Sequence, residues 1–321
     1  MIRPPRAWYG AAVGLATLMS AAAACSSAGS ENSLPISSAP PSSSATTQAQ
    51  PPAAPLWYVS IGDSYAAGYQ PTGPHSGHTD TNGFAYQVPR LAVAKGYDYR
   101  LVNFGCGGAT TTSILHSPGC PQLGPGATPY PGQSQAAAAE AFLRSHGGRV
   151  GLITVSIGGN DVTSCIAARQ PVSCVAAAVK TVKKNLEVLL QGLRQAAGAS
   201  VPIVGTTYPD VILGLDISKA PALRELAQLS VIAFKDLINP TLKKCYSSVH
   251  AEFVDVTAAT GAYGSLRQLT ELHPYGRVPV PVARVCTLTF FCEYHDIHPR
   301  TSGYTIIAKL VLATLPLQHH R

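Results

Sequence analysis

Charge is scarce in this chain: Asp, Glu, Lys and Arg together make up 12% of its 321 residues. No block of Lys or Arg stands out, and no basic stretch alternates with aromatic residues. The formal charge of +7 is therefore spread thin, and no nucleic-acid partner is expected. No Cys-x-x-Cys pair occurs, which argues against a zinc site. Gly105-Cys106-Gly107 lacks the later glycine of a dinucleotide fingerprint. No Gly-x-Ser-x-Gly elbow is present either, which argues against the α/β-hydrolase arrangement of a nucleophilic serine. His75, His78 and Asp80 lie in a Gly-, Pro- and Thr-rich stretch that reads as a solvated loop. His295, Asp296 and His298 lack the His-x-x-x-His spacing of a helical metal site. No metal and no organic cofactor is expected.

What is present begins with an export pattern. Arg3 and Arg6 precede an apolar stretch from Ala7 to Ala24 that ends in small residues before Cys25. That is the layout of a secretory signal over residues 1–25. Its end resembles a bacterial lipobox, with Ala22 where leucine is usual, and marks Cys25 as a candidate for lipidation. A lipid on Cys25 would tether the chain to a membrane without spanning it; simple secretion or a retained membrane anchor are the other readings. Residues 26–55 are rich in Ser, Ala, Pro, Gln and Thr and read as a disordered spacer. Residues 56–321 are long enough for one large domain with its own core. Cysteine usage agrees with an oxidising compartment: Cys106 and Cys120, Cys165 and Cys174, and Cys286 and Cys292 are close in sequence and read as three local disulfides. Cys245 is left over and reads as a buried thiol.

From Leu56 onward, short apolar runs alternate with longer amphipathic segments. The expected strands are Leu56–Ile61, Tyr99–Phe104, Val150–Ile157, Pro202–Tyr208 and Glu252–Val256. The expected helices are Phe84–Lys95, Ser134–Ser145, Cys174–Ala197, Pro221–Ser247 and Thr301–Leu315. In the third of these, Val182, Leu186, Leu189, Leu190 and Leu193 follow helical spacing. Such alternation predicts a three-layer α/β/α sandwich with about five parallel strands. Ligands of open sheets of this kind bind at the carboxyl ends of the strands. Three glycine-rich turns fall there: Gly62-Asp63-Ser64, Gly105-Cys106-Gly107-Gly108 and Gly158-Gly159-Asn160-Asp161. The Gly- and Pro-rich segments His116–Gln133 and Thr260–Glu293 read as long loops that wall or cover a site.

A serine hydroxyl needs a base within hydrogen-bond reach and donors aimed at the developing oxyanion. Ser64 sits at the first turn, and His298 stands on a loop before the last helix, from which it can face the same sheet edge. Gly62-Asp63-Ser64 with Ala66 and Gly68, Asn103 through Gly108, Gly158 through Asp161, and Asp296-Ile297-His298-Pro299 resemble, in order and spacing, the four sequence blocks of the SGNH, or GDSL, hydrolases. Gly105 through Thr112 and Cys286 through Tyr304 are similar to segments of secreted actinobacterial members. The resemblance runs from Leu56 to about Leu317 and implies a flavodoxin-like α/β/α fold and ester hydrolysis. It makes Ser64 the nucleophile and His298 the base. It assigns the oxyanion hole to the N–H groups of Ser64 and Gly108 and the amide of Asn160. The chain departs from the pattern at the acid, which usually lies three residues before the histidine, where His295 stands here. Either the Asp296 side chain turns onto the ring or the backbone carbonyl of His295 orients it, and the carbonyl is the slightly favoured reading. Asp63 and Asp161 read as helix caps.

The expected activity is hydrolysis of carboxylic esters, on a lipid or an acylated glycan, by a monomer held at the cell envelope or secreted. The same site would serve acyl transfer to a sugar or lipid acceptor. A lipid- or glycan-binding lipoprotein without catalysis is the alternative outside enzymes. Leu288, Phe290 and Phe291 either line an acyl site or pack beside a Cys286–Cys292 bridge.

Overall fold

The computed structural model describes residues 54–166, 168 and 170–318. The expected signal segment with Cys25, and the spacer up to residue 53, lie outside them. Nine strands occur among the described residues: β1 (Leu56–Gly62), β2 (Tyr69–Gly73), β3 (Ser76–Thr79), β4 (Tyr99–Asn103), β5 (Val150–Ser156), β6 (Ile203–Thr206), β7 (Glu252–Val254), β8 (Leu269–Leu272) and β9 (Gly276–Pro279). Five of them form the central sheet in the order β4-β1-β5-β6-β7, every pair parallel. The other four pair as two antiparallel hairpins.

The sheet is covered on both faces, which is why its strands read as short, nearly continuous apolar runs. Val59 and Ile61 of β1 pack with the helices Gln135–Ser145, Pro171–Ala197 and Asn239–Ser247. Tyr58 points the other way, toward the helices Phe84–Ala92 and Thr301–Ala313. This is the three-layer sandwich, with the flavodoxin-type strand order. Its topological switch point falls between β1 and β5, where such sheets bind their ligands.

All five expected strands of the sheet are present within a few residues. The helix expected from Cys174 starts earlier, at Pro171, because proline at the first helical position gives up no needed N–H. The helix expected over Pro221–Ser247 is interrupted. It runs as Pro221–Ala233, widens to a π turn over Phe234–Ile238, and resumes as Asn239–Ser247. Pro240 supplies the reason: it has no N–H for the residue four before it and its ring would strike that carbonyl. The Asn239 N–H reaches back to Phe234 O instead.

Two loop expectations are corrected. The segment with His75, His78 and Asp80 belongs to the β2–β3 hairpin and its edge, and both histidines are exposed there. Thr260–Glu293 contains the β8–β9 hairpin and the helix Val280–Leu288, in which Val282, Val285 and Cys286 are buried at helical spacing behind Pro281. Among the described residues no helix is long and apolar enough to cross a membrane.

The three cysteine pairs are joined, with Cα–Cα separations of 5.7 Å for Cys106–Cys120, 5.6 Å for Cys165–Cys174 and 5.1 Å for Cys286–Cys292. Cys245 is buried and free.

Candidate active site

β1 ends at Gly62, whose φ of 150° and close approach to the Ser156 carbonyl leave no room for a Cβ. The chain then turns into the short helix Ser64–Ala67. Asp63 is its N-cap: one carboxyl oxygen accepts from the Tyr65 N–H at 3.0 Å and the other from the Tyr208 hydroxyl at 2.6 Å. Asp63 is fully enclosed, and burial pushes its carboxyl up to about 6 even though the Tyr208 hydrogen bond opposes the shift. Ser64, the first helical residue, is almost completely buried.

His298 lies across from it. Its Nε2 is 2.7 Å from Ser64 Oγ, and its Nδ1 is 2.6 Å from Asp296 Oδ1. The same Asp296 oxygen accepts from the His298 backbone N–H at 2.9 Å. This corrects the favoured sequence reading: the Asp296 side chain, not the His295 carbonyl, meets the ring. His295 itself closes the helix Phe291–Tyr294 in the left-handed conformation, φ 54°. Histidine tolerates that region better than most residues, and the turn there brings a carboxylate only two positions before His298 back onto the imidazole. Partial burial raises the Asp296 carboxyl, but the hydrogen bonds and charge of His298 outweigh it and hold the group below the usual carboxylate range.

Sequence reasoning missed the residues that hold this loop. The Tyr65 hydroxyl donates to Ile297 O at 2.6 Å. The Tyr69 ring lies against the imidazole with centroids 4.5 Å apart, and Phe290 N–H donates to His298 O at 3.0 Å. Tyr65 follows the serine directly, so its position was a signal. Tyr208 is 145 residues from Asp63, and nothing local announces that contact.

The other two glycine-rich turns are stapled together beside Ser64. The Asn160 amide donates one N–H to Ala109 O at 2.8 Å, which leaves its second N–H for the site. Asp161 is not an N-cap: Thr110 caps Thr111–His116, and Asp161 ties the start of that helix from outside, accepting from the Thr111 N–H at 2.9 Å and the Thr111 hydroxyl at 2.6 Å. Gly108 has φ 76°, and no atom lies within 4 Å of the place its Cβ would occupy. The Ser64 and Gly108 N–H groups donate to no other group among the described residues. Removing the side-chain donor by Asn160→Ala is expected to cost 10²–10³-fold in kcat, roughly 2.7–4 kcal/mol, with KM little changed. Steady-state kinetics on a soluble ester check this.

A cavity of about 310 Å³ opens from Ser64 and Asn160 between the helix Pro171–Ala197 and the segment Leu226–Leu242. Leu288, Phe290 and Phe291 do not line it. Phe290 stacks on Tyr294 beneath Arg300, and Phe291 is buried against Val211 and Ile212. The packing reading is therefore the one the structure bears out for Phe290 and Phe291.

Asp210 braces one wall of this cavity from behind. Burial pushes its carboxyl up to about 7, partly offset by the Ser230 hydrogen bond at 2.8 Å. A carboxyl that holds its proton more tightly when folded contributes stability fully below its unfolded pKa, and loses it as pH rises through the folded value. Stability from Asp210, and from Asp63, is thus expected to fall between about pH 4 and pH 7. A protonated Asp210 would donate to Ser230, whose own proton has Ala227 O as an acceptor at 2.7 Å. Asp210→Asn imitates that state. Chemical denaturation should find the variant more stable than the parent at pH 8 and no more stable at pH 4.

Among the described residues no cluster of three His, Cys, Asp or Glu side chains is placed to hold a metal ion. A search of curated proteins finds no match. Among solved structures the chain is similar to phospholipase A1 from Streptomyces albidoflavus, at 20% identity over 81% of this chain and 99% of that one, TM-score 0.46. It is also similar to an extracellular lipase from Streptomyces rimosus (19%, 81% and 98%, TM-score 0.43) and to an acetyl xylan esterase from Geobacillus stearothermophilus (19%, 83% and 97%, TM-score 0.44). The sequence model of the GDSL-like lipase/acylhydrolase family matches residues 60–306. The chain belongs to that family and is a carboxylic ester hydrolase.

Proposed function

We propose that the chain hydrolyses its ester through an acyl-enzyme on Ser64. The observation that carries this is the unbroken chain of contacts Ser64 Oγ to His298 Nε2 at 2.7 Å and His298 Nδ1 to Asp296 Oδ1 at 2.6 Å. Asp296 accepts a hydrogen bond from Nδ1–H, which keeps the proton on Nδ1 and leaves Nε2 with its lone pair toward the serine. As Ser64 Oγ attacks the ester carbonyl, its proton passes to Nε2. The negative charge forming on the carbonyl oxygen is met by the N–H groups of Ser64 and Gly108 and the free N–H of Asn160. The imidazolium then gives its proton to the departing alcohol. Water enters and attacks the acyl carbon as it gives a proton to the same nitrogen, and the acid leaves as Nε2 returns that proton to Ser64 Oγ.

The site is proposed to work outside the cytoplasm. The secretory layout of residues 1–25 and three cysteine pairs at disulfide geometry support export. Lipidation of Cys25 would hold the enzyme on the membrane at the end of a spacer, acting as a monomer. The testing experiment is labelling of the full chain with a p-nitrophenyl alkylphosphonate. One phosphonyl group on the Ser64 peptide, found by mass spectrometry and accompanied by loss of esterase activity, is the expected result. Inactivation with label elsewhere overturns the assignment.

A further inference from the structure

We propose that the cavity behind Ser64 is an acyl-chain channel, and that it makes the enzyme selective for fatty esters of about eight to ten carbons over acetate esters. This rests on Ser64 being the nucleophile. The first argument is the side on which the cavity lies. The departing alcohol must take its proton from His298, so it occupies the His298 side of the serine. Ser64 and Asn160 are in the cavity wall; of the histidine loop only Ile297 reaches it, and His298 and Gly108 do not. The cavity therefore extends from the acyl side.

The second argument is its chemistry. Val175, Val179 and Val182 face Leu226, Ala233 and Ile238 across it. The hydroxyls in the wall away from the serine are already committed to backbone: Thr163 donates to Gly159 O at 3.0 Å and Ser230 to Ala227 O at 2.7 Å. The carboxylate in that wall, Asp236, is exposed, so a sugar seated deeper would lose its hydration without gaining partners, whereas an alkyl chain loses nothing by entering.

The third argument is size and continuity. At roughly 30 Å³ per water-sized unit, 310 Å³ holds a chain on the order of ten heavy atoms. An acetyl group would leave nearly all of that space unfilled. Val172, Leu229, Ile232 and Leu237 line the cavity yet are 67%, 40%, 56% and 38% exposed. The apolar surface thus continues from the interior to the outside, and a chain longer than the channel keeps apolar contact where it emerges. The π turn over Phe234–Ile238 forms part of this wall, and the Cys165–Cys174 bridge ties the start of the opposite one.

The test uses the full chain and p-nitrophenyl acetate, butanoate, octanoate and decanoate. The expected result is a rise in kcat/KM of roughly threefold to fourfold per methylene up to octanoate or decanoate. Ala233→Phe and Val175→Phe, each filling the channel from a different wall, should lower the octanoate-to-acetate ratio at least tenfold. A parallel measurement needs no variant: inactivation by methyl- and octylphosphonates of the parent protein should be faster for the octyl reagent. Hydrolysis of acetate with a flat or falling chain-length profile overturns the channel and leaves the Ser64 reading standing. So do folded variants with an unchanged ratio. No turnover of any ester, with no phosphonate on Ser64, overturns both.

Discussion

Ser64→Ala is expected to lower kcat for ester hydrolysis roughly a millionfold, to the level set by the remaining oxyanion donors and substrate binding. The reason is chemical and local. Without Oγ no acyl-enzyme forms, and water would have to attack directly from a position the site is not built to hold. His298→Ala should cost nearly as much, since Oγ–H loses the ring nitrogen 2.7 Å away. The double variant should be no worse than either single one, because the two groups act as a unit. Steady-state rates on p-nitrophenyl butanoate, with thermal unfolding to verify the fold, measure all three. Ser64→Ala retaining a hundredth of the parent rate would refute the nucleophile assignment.

Asp296→Asn is the second large effect, expected near ten-thousandfold in kcat at neutral pH. The carboxylate accepts from both Nδ1 and the His298 N–H through one oxygen. An amide turned to present its N–H to the ring would favour the tautomer protonated on Nε2, which cannot take the serine proton. Because Asp296 is held below the usual carboxylate range, the parent should keep this interaction through mildly acidic solution. The variant should instead recover rate as pH rises and hydroxide takes over as base. A loss under fivefold would return the orienting role to the His295 carbonyl. A clean result here also separates Asp296 from Asp63, the other carboxylate near His298, whose oxygens are occupied by the Tyr65 N–H and the Tyr208 hydroxyl.

Much of the architecture was legible before any coordinates. The five strands of the sheet are short apolar runs, since a strand buried on both faces must be apolar nearly throughout, and three of them, β1, β4 and β5, run into glycine at the carboxyl end where the chain turns sharply. The helix Pro171–Ala197 announces itself because Val182 through Leu193 repeat at 3.6-residue spacing over a length no strand reaches. The three glycine-rich turns and the loop with His298 were likewise visible at strand and helix boundaries, and the resemblance to the SGNH blocks implied the roles of Ser64, Gly108, Asn160 and His298 within them. Other features were hidden for stated reasons. The helix Val280–Leu288 is masked by Pro279 and Pro281, which read as loop residues although proline is welcome in a first turn. The π turn follows from Pro240, but only once the helix around it is known to continue.

The sequence by itself determined the fold class, the turn after the first strand that carries Ser64, and the closeness of six cysteines in three pairs, because each is read from residues near one another in the chain. The tertiary structure alone decided two matters that bear on function. One is the histidine's partner: His295 takes the left-handed turn that swings Asp296 onto the ring, and the loop is held by Tyr65 at Ile297 and by Phe290 at His298. The other is the cavity, whose walls come from residues some 60 apart in sequence and whose aliphatic side chains look, in the sequence, like ordinary core. Helical periodicity states that a side chain is turned away from water. It does not state whether another side chain or a substrate will fill the space it faces, because that depends on how two distant helices are set apart.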